Sequence, residues 1–84
     1  MRMRIELVLA ARAVERNSRL DFALDNLDNN LFFVTSALWE DNKWTVRAEM
    51  EISAENTRRE YDTALTSLEI SFPDDALEVL TPNP

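Results

Sequence analysis

The chain has 84 residues, a net charge of −7 and an apolar fraction of 45%, and it contains no Cys, His or Gly. That length makes one domain with a thin margin of stability, because a chain this short buries only about 60–65% of the surface its unfolded form exposes. No disulfide and no Cys/His zinc site can reinforce it, so core packing, helped by self-association, has to hold it together.

Composition also narrows the function. Residues 1–20 carry five arginines against two glutamates, and the rest carries four basic against fourteen acidic groups, so the acidity lies beyond residue 20. Nucleic acids and anionic membranes need a positive footprint, which argues against both as partners and leaves a basic protein partner open. The apolar runs at Leu7–Ala11 and Leu31–Val34 are too short to span a bilayer. Glu6 interrupts the apolar stretch that a signal peptide starting at Met1-Arg2-Met3-Arg4 would need, so a cytoplasmic location is expected, in keeping with the lack of Cys.

The first element reads as a strand. Met3, Ile5, Leu7 and Leu9 alternate with Arg4, Glu6, Val8 and Ala10, the period-two pattern of a strand with one buried face. From about Ala13 the period changes: Leu20, Ala23, Leu24, Leu27 and Leu31 recur at three- and four-residue steps. This predicts an amphipathic helix ending near Asn29-Asn30, where Asn can take the left-handed cap conformation.

Two β-rich runs follow, Leu31–Glu40 and Lys43–Ile52, separated by Asp41-Asn42, and they predict a hairpin. With a two-residue turn, Trp39 pairs with Trp44, Ala37 with Val46, Thr35 with Ala48, Phe33 with Met50 and Leu31 with Ile52. Those residues then share the core face, and Phe32, Val34, Ser36, Leu38 and Glu40 share the other with Lys43, Thr45, Arg47, Glu49 and Glu51. Ser53 is a candidate N-cap with Glu55 in the first turn. Tyr61, Ala64, Leu65 and Leu68 form a second helical stripe before Pro73, and Ala76–Leu80 reads as a last strand.

The resulting order is strand, helix, strand, strand, helix, strand. An offset of 41 residues lays Asp21 on Asp62, Ala23-Leu24 on Ala64-Leu65 and Leu27 on Leu68, so the chain echoes itself as two βαβ halves. The expected fold is therefore an α+β, two-layer ferredoxin-like βαββαβ sandwich, with a four-stranded antiparallel sheet in the order 4-1-3-2 and two helices on one face. Residues 1–81 form the domain, and 82–84, with Pro82 and Pro84, form a loose tail.

Catalytic apparatus is missing from the sequence. There is no imidazole for acid–base work, no thiol, and no glycine for a phosphate loop. Lys43, the one lysine, belongs beside a turn and not in a desolvated pocket. No enzyme activity, cofactor or metal is expected. Asp21, Asp25 and Asp28 share a helix face but lack the pattern of a calcium loop, so they stand as a candidate acidic contact surface, together with Asp74, Asp75 and Glu78 around Pro73. No anion-binding role is assigned to Arg12, Arg16, Arg19, Arg58 and Arg59, which have nearby carboxylates to pair with. Phe22 reads as a single exposed aromatic, and Trp39 and Trp44 as packing partners.

The candidate protein interface is the helix-free face of the sheet, with Phe32, Val34 and Leu38 on an edge strand and Val8 beside them. The expected function is a non-enzymatic acidic interaction module that forms a homodimer through this face or edge. A second reading is an acidic inhibitor or decoy, of the phage counter-defence or nucleic-acid-mimic type, that fills a basic groove. A third is a small-molecule-binding dimer with a cleft lined by Tyr61, Trp39 or Trp44.

Overall fold

The computed structural model describes residues 2–10 and 16–80. The helix start expected near Ala13, the side chains of Arg12 and Arg16, and the tail at 82–84 lie outside the described residues. Within them the element order is β1 (Arg2–Ala10), α1 (Arg16–Asn29), β2 (Phe33–Glu40), β3 (Lys43–Glu51), α2 (Thr57–Ser71) and β4 (Ala76–Leu80). All strand pairings are antiparallel and the sheet order is β2-β3-β1-β4, the ferredoxin-like arrangement. The 41-residue offset carries both ends of β1 onto both ends of β3, and Arg16 onto Thr57.

Alternation in β1 produces the core. Met3, Ile5, Leu7 and Leu9 are fully buried, and they meet Val46, Ala48 and Ile52 from the β3 side, Ala23 and Leu27 from α1, and Ala64 and Leu68 from α2. Leu77 and Val79 of β4 pack against this cluster. The β2–β3 turn has positive φ at both Asp41 (54°) and Asn42 (61°), the type I′ geometry whose twist suits a two-residue hairpin. Asp and Asn tolerate this conformation better than other residues that carry a Cβ, which explains how the turn forms without glycine.

Both helix boundaries correct the sequence reading in detail. The left-handed residue that ends α1 is Leu31 (φ 66°), not Asn29 or Asn30. The N–H of Leu31 donates to the carbonyl of Asp28 (3.0 Å) and that of Phe32 to the carbonyl of Leu27 (2.8 Å), which is a Schellman motif. Its usual apolar contact between the flanking residues is supplied by Phe32 and Leu27, both buried. The residue preceding α2 is Asn56, without a side-chain capping bond. Ser53 instead shapes the turn before it: its carbonyl accepts from the Thr57 hydroxyl (2.8 Å) and its N–H donates to Glu60 Oε2 (2.6 Å).

Candidate functional site: the open sheet face and the β2 edge

The expected hairpin register holds from the turn back to Ser36, with Glu40 opposite Lys43, Trp39 opposite Trp44, Leu38 opposite Thr45, Ala37 opposite Val46 and Ser36 opposite Arg47. It then breaks. Val34 pairs with Ala48 and Phe33 with Glu49, so Thr35 is an extra residue, a β-bulge. The Thr35 hydroxyl donates to the Arg47 carbonyl at 3.2 Å and fastens the bulge to β3. One inserted residue reverses the facing of everything before it.

This reversal overturns half of the expected interface. Phe32 is not on the open face; it is 3% exposed, within the core. Val34 shares the helix-side face with Ala48, though at the sheet edge it keeps 39% exposure. Leu38 lies on the open face, 56% exposed, in one row with Thr45, Val8 and Ala76. Phe33 takes the place expected of Phe32 and is 77% exposed. Sequence periodicity missed Phe33 because two adjacent phenylalanines fit either register equally well.

The middle of the open face is not apolar. Arg2 pairs with Glu49 (3.3 Å) and Glu51 (3.7 Å), Arg4 with Glu49 (3.5 Å), and Arg47 with Glu6 (3.0 Å), all across β1 and β3. Each exposed pair contributes under about 1 kcal/mol, but together they cover the centre of the sheet with satisfied charge. Exposed apolar side chains are concentrated instead on β2. Phe33 and Leu38 stand on one face of that strand, Val34 and Ala37 on the other. Of the residues in β2, Trp39 alone is half-buried, its ring 5.4 Å from that of Trp44.

The acidic candidates separate into different environments. Asp21, Asp25 and Asp28 are all exposed along α1, and no ion pair engages them among the described residues. Asp74 is exposed as well, and Glu78 stands on the open face directly opposite Glu6. Asp75 is not a contact residue: its side chain is only 5% exposed and accepts both from Arg19 Nη2 (2.6 Å to each oxygen) and from the Ala10 N–H (3.1 Å). It ties the end of β1 to α1 and to the start of β4. Arg58 pairs with Asp62 within α2 at 3.3 Å. The pairing of Arg19 with Asp75 was not visible from sequence, since the two are far apart along the chain, whereas Arg58 and Asp62 stand at a local four-residue spacing.

Among the described residues no three potential ligands come close enough to hold a metal ion. An open groove of about 640 Å³ runs between the end of α1 and α2, past Leu31, Met50, Arg59, Glu60 and Ser67. A smaller hollow of about 230 Å³ lies beside Arg19, Phe22, Phe72 and Asp75. Neither is lined by Tyr61, Trp39 or Trp44, the residues expected to form a small-molecule cleft. Phe22 is held edge-on against the buried ring of Phe72, with 5.7 Å between ring centres, so it is a packed residue as well as a surface one.

No known protein family and no curated protein matches the chain. Solved structures similar to it include the de novo designed protein Foldit4 (TM-score 0.62, 13% identity, 99% of this chain and 96% of that one). Another is the de novo designed protein Ferredog-Diesel (TM-score 0.59, 17% identity, 96% of this chain and 85% of that one). At these identities the likeness concerns the fold. No helix among the described residues is long and apolar enough to cross a membrane.

Proposed function

We propose that this chain is a non-enzymatic, acidic protein–protein interaction module of the cytoplasm that self-associates along the β2 edge. The observation that carries this reading is the gathering of exposed apolar side chains on both faces of one edge strand. Phe33, Val34, Ala37 and Leu38 are all exposed on β2, while the neighbouring sheet face is covered by ion pairs. An edge strand invites strand addition, and apolar residues on its two faces give a partner strand something to pack against. The absence of imidazole, thiol and glycine supports the non-enzymatic part of the reading.

A second reading stays in view because the α1 carboxylates are exposed and without ion pairs among the described residues: an acidic decoy whose Asp21, Asp25 and Asp28 fill a basic groove. Ionic strength separates the two, since electrostatic mimicry weakens steeply with salt and apolar strand pairing does not.

The test is solution mass by light scattering over a dilution series, for the wild type and for Phe33→Glu and Leu38→Glu. The expected result is a wild-type dimer that persists at high salt, and variants that are folded monomers. A wild type that is monomeric at every concentration would overturn the self-association reading. A dimer untouched by both substitutions would overturn the assignment to β2.

A further inference from the structure

We infer that the α1–β2 junction is a two-register element, in which the start of β2 slips by one residue against β3 and exchanges Phe32 for Phe33 in the core. Thr35 is the spare residue that makes the slip available. If the bulge is absorbed into the strand, Thr35 comes opposite Ala48, Val34 opposite Glu49, Phe33 opposite Met50 and Leu31 opposite Ile52. The pairings from Ser36 to Glu40 are the same in both registers. Only the first part of the strand moves, by about one strand residue, roughly 3.3 Å.

Ordinarily such a slip is forbidden, because it moves every core residue to the solvent face. Here the residue that leaves the core and the one that enters it are both phenylalanine, so the volume and chemistry of the buried ring are conserved. Val34 gives way to Thr35 at the sheet edge, a site already partly open to water.

Opposing features at the junction set the balance. The bulged register is fastened by the Thr35 hydroxyl on Arg47 and by the two Schellman bonds from Leu31 and Phe32. Against it stands Leu31, held at φ 66°, a conformation its Cβ disfavours, with its side chain 74% exposed. Slipping breaks those three hydrogen bonds, returns Leu31 to extended backbone and turns its side chain toward the core. It also changes which groups face outward: Phe33 leaves the open face, and Phe32 and Val34 join Leu38 there. The inference concerns the single chain and holds whether or not β2 takes a partner.

The test is the urea midpoint of Phe32→Ala, Phe33→Ala and the double variant, combined with cross-strand nuclear Overhauser contacts that read the register, at concentrations where the chain is monomeric. Phe32→Ala is expected to retain most of the wild-type midpoint, with Phe33 now facing Met50 instead of Glu49. Phe33→Ala alone is expected to leave the midpoint unchanged, and the double variant to lose far more than the two singles together. Deleting Thr35 removes the spare residue and fixes the present facing, so Phe32→Ala in that background is expected to suffer the full loss. The inference is overturned if Phe32→Ala leaves Phe33 opposite Glu49, if it unfolds the chain, or if the losses simply add.

Discussion

β2 and β4 occupy matching places, each at an edge of the sheet and each closing one βαβ half, yet they are secured by different means. Both follow a helix and a buried phenylalanine, Phe32 in the first half and Phe72 in the second. β4 is then anchored before it begins, by Asp75 on Arg19 and on the Ala10 N–H, and its Leu77 and Val79 pack on the core. Among the described residues β2 has no such ion-pair anchor: beyond Phe32, every residue as far as Leu38 is exposed, and the strand is held by its ladder to β3, by the hairpin turn, by Trp39 packed on Trp44 and by the Thr35 hydroxyl. A strand of five residues with a partly buried ion pair at its entry is a closed edge. A strand of eight with apolar side chains on both faces is an open one, and the open one is where association and register change are placed above.

The contrast can be broken most directly at Asp75. Asp75→Ala leaves the partly buried Arg19 guanidinium and the Ala10 N–H without their acceptor. The expected loss is about 2 kcal/mol of unfolding free energy, moderated by the roughly one-third exposure of Arg19. Urea titration measures it, and a loss no larger than that of an average surface substitution would mean that β4 is not held by this pair.

A smaller effect of opposite sign is expected at the entry to β2. Leu31→Gly removes the steric cost of the left-handed residue but widens the unfolded ensemble, for a net gain of about 0.5 kcal/mol. The thermal midpoint should rise. A fall would show that Leu31 is held by contacts worth more than its backbone strain.

The smallest expected change sharpens the picture of β4 on the open face, where Glu78 stands opposite Glu6. Glu78→Lys replaces a like-charge pair by an opposite one, a gain of about 0.3 kcal/mol at low ionic strength that disappears in high salt. A gain independent of salt would point to packing in place of charge.

How far the sequence could be read depended on whether a residue's partner was local. β1, the two helices and the hairpin were legible because alternation and three- or four-residue spacing report directly on burial. The Asp41-Asn42 turn fixed the register as far as Ser36. The bulge at Thr35 was not legible, since Phe32 and Phe33 satisfy a bulged and an unbulged strand alike and hydrophobicity cannot choose between them. The choice is made by the end of α1, where the Schellman bonds of Leu31 and Phe32 fix how far the chain has travelled when the strand begins. Asp75 misled for a related reason. An aspartate in a loop just after a proline reads from sequence as an exposed acidic group, and only the folded chain brings Arg19 and the end of β1 to it. Leu38 and Val8 lie on the expected face, Leu38 because it is on the turn side of the bulge and Val8 because β1 pairs with β3 in unbroken register.

The position of β1 in the sheet has a consequence in time. It is the first of the described strands, but its neighbours are β3 and β4, and β4 is the last of the described elements to be made. At roughly 5–20 residues per second, a ribosome leaves Met3, Ile5, Leu7 and Leu9 without their full covering for about 4–15 seconds. Meanwhile the β2–β3 hairpin, whose partners are close in sequence, can already have closed. Of the two central strands of the finished sheet, β1 is therefore the one that waits longest for its neighbours during synthesis.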